Sequence, residues 1–232
     1  QLDGSPVEIT ADNSGFSGTF LLTGTAIGEN DNAFGVGQVI NQNGTMLLSS
    51  STIGNQISGS GQIYARGGGS TSRATLSGIN TYSGGTFVTN SGSMLLLTNA
   101  SAAGTGAVDV GSDAFLELDF GAAGGDFANL VTGDGTVRKV GSGLLTLANV
   151  ANDYTGGTQI NGGILRVTDL HALGTGGVVA NAGGALMYDY SGPGNQNFST
   201  PLMTGAGKFI KNGSGTIVMS TANTWTGGTQ IL

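Results

Sequence analysis

The stretch TGDGTVRKVGSGLLTLANVANDYTGGTQINGGILRVTD, residues 132–169, decides the fold. Leu145 and Leu147 can face one way while Leu144 and Thr146 face the other, and Leu165 and Val167 point opposite to Arg166. This is the period-2 signal of half-buried strands. The apolar runs are short and bounded by Gly, Asn, Ser or Thr, as strands between turns should be. Glycines at the bends supply positive φ without steric cost.

Working outward, the stretch recurs. NDYTGGT at Asn152 has copies NTYSGGT at Asn80 and NTWTGGT at Asn223, and a weaker GFSGT at Gly15. Their aromatics, Phe16, Tyr82, Tyr154 and Trp225, recur at steps of 66, 72 and 71. AFGVGQV at Ala33, AAGTGAV at Ala102 and ALGTGGV at Ala172 repeat at steps of 69 and 70. SGSGQIYARGGG at Ser58, TGDGTVRKVGSG at Thr132 and TGAGKFIKNGSG at Thr204 repeat at steps of 74 and 72. Three landmarks in one order at one spacing make a unit of about 70 residues. The unit divides into three subunits of about 20–25 residues, each the length of one turn of a parallel β-helix.

The expected architecture is therefore all-β: a single right-handed parallel β-helix (β-solenoid) of about ten coils, continuous over 1–232. Its repeats fall at about 12–57 (weak), 58–131, 132–203 and 204–232 (partial). At the ~4.8 Å strand spacing the coils would span roughly 45–50 Å. Ile217 and Met219 are expected on the inward face, as are Leu145 and Leu147. Val137 and Lys139 share a face by alternation, as do Phe209 and Lys211. A buried unpaired lysine is costly, so the bend after each strand is expected to turn the lysine outward.

Composition agrees. Glycine is 45 of 232 residues, about one in five against a usual ~7%. Charged residues are 9% and prolines number only 3. Collagen needs glycine at every third position. Disorder needs low hydrophobicity and high charge, yet 38% of residues are hydrophobic. The net charge of −7 and the lone basic pair Arg138-Lys139 argue against a nucleic-acid partner. Zero cysteines exclude disulfides and thiolate metal sites. No apolar run approaches a membrane span and no signal peptide is visible, so the chain reads as an internal segment.

The copies at 132–169 and 204–232, with ALGTGGVVANAGGALMYDY following the first, resemble the passenger-associated transport repeat of bacterial autotransporters of the AIDA and antigen-43-like type. The likeness runs from Gly133 onward, extends to Ser58–Phe120, and fades before Ser58. It implies a right-handed parallel β-helix, exported across the outer membrane of a Gram-negative bacterium through a C-terminal translocator barrel. It places the chain at the cell surface or outside the cell, as part of a larger passenger.

Candidate chemistry is sparse. His171, the only histidine, follows Asp169, but no G-x-S-x-G elbow occurs and the other copies carry Ser101 and Asn32 in its place. Asp109, Asp113, Glu117 and Asp119 form the densest acidic stretch, which a glycosidase could use only if two carboxyls faced each other. Gly124-Gly125-Asp126 and Gly133-Asp134-Gly135 are isolated fragments of a calcium β-roll pattern. The variable stretches Ser49–Gln56, Gly121–Asn129 and Ser191–Pro201 read as tolerated insertions or binding loops. The candidate binding residues are Tyr82, Tyr154 and Trp225, either a sugar-binding stripe or corner fillers, together with Asp126, Asn195 and Asn197. No catalytic residue, metal or cofactor is assigned. The expected function is a non-enzymatic adhesin or self-association module that contacts another copy or a host-surface protein or glycan. The alternatives are a structural stalk and a carbohydrate-active β-helix enzyme.

Overall fold

In the computed structural model, which describes residues 6–67, 72–198 and 202–232, the alternation of 132–169 becomes stacked parallel strands. The described residues hold 27 strands of two to six residues and one 3₁₀ turn, Leu170–Leu173. Every strand pair given a register is parallel, as in a β-solenoid, and the turns number about ten.

The chain divides into two compact units, Gln1–Glu117 and Leu118–Leu232. In the first, Val7–Ile9, Thr25–Gly28, Thr45–Leu48, Gln62–Arg66, Thr86–Thr89 and Val108–Val110 stack in that order as one sheet. Phe20–Leu22, Val39–Asn41 and Ile57–Ser58 form a second. In the second unit, Gly125–Phe127, Leu144–Leu147, Gly163–Val167, Gly184–Asp189, Lys208–Asn212 and Thr229–Ile231 form one face. Thr136–Lys139, Thr158–Ile160, Val178–Ala180, Met203–Gly205 and Thr224–Trp225 belong to another.

In-register stacking turns each strand position into a ladder. Leu145, Leu165, Leu186 and Phe209 are successive partners, and all four are 0% exposed. Burying each such side chain stabilises by about 1.5–3 kcal/mol. The residues that alternate with them point outward, so Arg166 sits on the solvent side between buried Leu165 and Val167.

The repeated motif builds a corner. Asn152 accepts from the Val131 amide at 2.9 Å and donates to the Ala172 carbonyl at 2.8 Å, tying three successive turns. Asn80 does the same with Ile57 at 2.8 Å and Ala102 at 2.7 Å. The Tyr82 and Tyr154 hydroxyls meet the Thr86 and Thr158 hydroxyls at 2.6 Å. Trp225 Nε1 donates to Thr229 at 3.2 Å, so in all three copies the aromatic engages the threonine of its own GGT. The first glycine of GGT lies against the preceding turn: a Cβ on Gly156 would come within 2.5 Å of the Gly135 carbonyl. The second needs positive φ, 83° at Gly157.

Within the second unit the sequence repeat and the coil are out of phase. Lys139 and Lys211 are equivalent, yet their strands lie in different sheets. The same holds for Thr158–Ile160 and Thr229–Ile231. Along the first face of this unit, successive strands begin at Gly125, Leu144, Gly163, Gly184, Lys208 and Thr229. One sequence repeat therefore makes three turns plus one further face. Equivalent residues of successive repeats point in different directions.

Two expectations on orientation are corrected. Lys139 and Lys211 do not turn outward: they are 2% and 6% exposed. Lys139 Nζ donates to the carbonyls of Val140 (2.6 Å), Gly141 (2.8 Å) and Gly162 (3.2 Å). Lys211 Nζ donates to those of Tyr190 (3.0 Å), Asn212 and Gly213 (2.6 Å). The bend curls round the ammonium, and its own carbonyls replace water. Ile217 and Met219 are not buried as Leu145 and Leu147 are; Ile217 is half-buried and Met219 38% exposed. Their strand, Thr216–Met219, pairs only with Asn195–Phe198 among the described strands.

Candidate functional site

The residues that repeat are occupied in holding the coil, so surface chemistry falls to side chains that do not repeat. Tyr82 and Tyr154 are 0% exposed, and their rings offer no face to solvent. Burial pushes both hydroxyls well above the usual tyrosine range. Of the two readings of these aromatics, corner filling is the one their burial matches. Trp225 is half-buried against Phe209, with ring centroids 5.5 Å apart. Tyr154 and Trp225 do not share a face: the turn of Tyr154 rests on Val131, whose strand Val131–Thr132 belongs to a different sheet from Thr224–Trp225.

The other candidates are exposed. Asp126 lies 3.6 Å from Arg166 on the outer side of its sheet. Asn195 and Asn197 alternate along the exposed strand Asn195–Phe198, and Asn197 accepts from Ser220 at 2.6 Å. The structure does not bring Asp126 together with these asparagines, whose strands belong to different sheets. The three variable stretches each contribute a short strand, Thr52–Ile53, Gly125–Phe127 and Asn195–Phe198, paired to the following turn. Residues 199–201 of the third lie outside the described residues.

Several titratable groups hold local structure. Asp169 caps the 3₁₀ turn, accepting from the His171 amide at 2.9 Å and meeting Nδ1 at 2.7 Å. Burial pushes the Asp169 carboxyl up, but the His171 contacts outweigh it and hold it below the usual range. The imidazole itself points into solvent, 83% exposed. Glu117 is held by Arg73 at 3.2 Å. Asp119 accepts from the Gly121 amide at 3.0 Å and lies against Gly141. Asp113 occupies a tight turn at φ 58°. Among the described residues no group of three or more His, Cys, Asp or Glu could hold a metal ion.

Two outward ladders stand out. In the first unit, successive in-register partners run Glu8, Ile27, Leu47, Tyr64, Phe87, Asp109. The four central side chains are half-buried, with the Tyr64 and Phe87 rings stacked 4.7 Å apart at 16°. In the second unit the ladder runs Asp126, Thr146, Arg166, Met187, Ile210, Gln230. Arg166 Nε donates to Thr146 at 3.1 Å, and its terminal nitrogens lie 3.6 Å from Asp126 and 3.9 Å from Asp189. Met187 and Ile210 of this ladder, and Ala185 beside it, are only 9%, 6% and 7% exposed although they face outward. With Ile164 they form an apolar cluster, and Ile164, Ala185 and Ile210 line a groove whose walls include Gly163, Gly183 and Gly207. Exposed Lys208 stands at the rim. Sequence reasoning missed both ladders. Alternation could have placed Tyr64 and Phe87 outside, opposite Ile63 and Val88, but their adjacency depends on the length of the intervening turn.

Comparison with known proteins adds three findings. The family description "passenger-associated transport repeat" matches residues 71–96, 137–167 and 209–232. The chain is similar to the adhesin BmaC autotransporter of Brucella suis biovar 1 (strain 1330), 31% identical over 185 residues. That alignment covers 66% of this chain and 5% of the relative, so the chain spans about a twentieth of that relative's length. No solved structure matches.

Proposed function

We propose, for a chain that carries three passenger-associated transport repeats and is autotransporter passenger sequence displayed at or released from the cell surface, an adhesive and non-enzymatic role. The observation that carries this reading is the partly exposed apolar and aromatic ladder Ile27–Leu47–Tyr64–Phe87 on an outward sheet face. Such a face favours contact with another surface. The acids nearest to a catalytic pair are instead engaged with Arg73, with Arg166 or with backbone amides. The similarity to a protein named as an adhesin supports the same reading. In the full-length protein a C-terminal translocator barrel would carry the passenger across the outer membrane. The partner is a second copy, or a host-surface protein or glycan.

The test is to display the chain on a non-adherent bacterium and score clumping and attachment to host cells and glycan arrays. A panel of polysaccharide and ester substrates runs in parallel. The expected result is clumping or attachment without turnover. Turnover that depends on His171 or Asp126 would put a carbohydrate-active enzyme in its place. Neither adhesion nor turnover would leave a structural stalk.

A further inference from the structure

The two outward ladders are complementary. One is a ridge of large side chains, Ile27, Leu47, Tyr64 and Phe87, on four neighbouring strands and so about 14 Å long. The other is a groove of similar length, because its lining residues Ile164, Ala185, Ile210 and Gln230 also lie on four neighbouring strands. Its floor is Ile164, Ala185 and Ile210, and its glycine walls leave room for bulky groups. The ridge ends in acid, with Glu8 beyond Ile27 and Asp109 beyond Phe87. The Glu8 end has an excess of negative charge: the like charge of Glu8 holds the neighbouring Glu29 carboxyl above its usual range. The groove rim carries exposed Lys208. A single chain thus holds a ridge with acidic ends and a groove with a basic rim, matched in length and sign. No aromatic ring lines the groove, which disfavours a sugar stacked there.

We propose that the ridge of one copy, Ile27–Leu47–Tyr64–Phe87, seats in the Ile164–Ala185–Ile210 groove of a second copy, with Lys208 facing Glu8 and Glu29. This deepens the adhesive reading above and rests on it. The contact is heterologous, since different surfaces of the two copies meet. Each copy keeps one surface free, so the assembly can grow beyond a dimer. Two stripes of this size make a small interface, so single contacts are weak and many copies on facing cells act together.

Sedimentation velocity on the purified chain over a range of concentrations is the test, with circular dichroism and melting confirming that each variant folds. The ridge variant is Tyr64→Ser with Phe87→Ser. The groove variant is Ala206→Arg, at an exposed residue of the groove lining. Tyr64 and Phe87 face outward and Ala206 is exposed, so the core is untouched. Wild type should grow beyond dimers as concentration rises. Each variant alone should associate at least about tenfold more weakly. Mixed in equal amounts they should form dimers that stop at two, because one intact ridge meets one intact groove. Lys208→Glu should weaken association, and mixing it with Glu8→Lys should restore it. If wild type associates and the variants associate equally well, this contact is wrong while the adhesive reading stands. Failure of the Lys208→Glu and Glu8→Lys mixture to recover would likewise overturn the contact. If wild type stays monomeric and displaying cells do not clump, self-recognition falls altogether.

Discussion

Replacing Lys139 with methionine keeps the aliphatic stem and removes only the ammonium. The structure gives that ammonium three carbonyl partners, two at 2.6 and 2.8 Å and one at 3.2 Å reaching Gly162 in the next turn. Hydrogen bonds to a charged group contribute about 1.5–3 kcal/mol each. Two good bonds therefore give roughly 3–6 kcal/mol. Part of this is offset because the variant no longer keeps a cation out of water. That cost is visible in the direction of the Lys139 shift: burial holds its ammonium below the usual lysine range, with Asp119 pulling the other way. A net loss of about 2–3 kcal/mol remains. At about 2–4 °C per kcal/mol for a chain of this size, Lys139→Met should melt roughly 4–12 °C lower. The direct assay is reductive methylation read by mass spectrometry, since the chain has only three lysines, Lys139, Lys208 and Lys211. Lys208 should react quickly and the other two slowly. Equal labelling of all three, with Lys139→Met melting alongside the parent, would refute the carbonyl cage.

Asn152→Ala leaves a buried amide and a buried carbonyl without their partner and should cost about 2–4 kcal/mol in denaturant unfolding. Leu145→Asp should destabilise by roughly 3 kcal/mol or more, whereas Ile217→Asp, at a half-buried position, should cost distinctly less; equal losses in parallel melts would contradict the burial described. Alkaline titration should unfold the chain early. Tyr82 and Tyr154 have hydroxyls raised by burial, so the stability they contribute is complete below the unfolded tyrosine value of about 10 and is lost as pH climbs above it. Tyr154→Phe should blunt that loss, at a cost of about 1 kcal/mol near neutrality from the bond to Thr158.

Much of the coil was legible in the chain because stacking is a local rule. Alternation at Leu145, Leu147, Leu165 and Val167 marks the inward face, and each is buried. The spacing of the GGT copies marks the repeat; its first glycine lies where a side chain would strike the preceding turn, and its second has positive φ. The lysines were not legible. Alternation placed Lys139 beside Val137 correctly, but the expected cost of burying it presupposed water as its only partner, and the bend supplies three carbonyls instead. The candidate face was illegible for a geometric reason. Tyr64 and Phe87 are one full turn apart along the chain, and only the true length of that turn makes them register partners. The recurring aromatics were conspicuous in the sequence because they build corners, which removes Tyr82 and Tyr154 from the surface.

Successive turns stack in register, and in the second unit each sequence repeat is displaced by one face. Paired cysteines test this directly, since the chain has none of its own. Gln159 and Val179 are outward register partners on neighbouring strands. Gln159→Cys with Val179→Cys should cross-link readily under mild oxidation, because adjacent strands lie about 4.8 Å apart. Gln230 is the residue equivalent to Gln159 one repeat later, but it belongs to a different sheet. Gln159→Cys with Gln230→Cys should stay reduced within the monomer. An intramolecular cross-link in the second pair and none in the first would contradict the stacking, and with it the two surfaces assigned to adhesion.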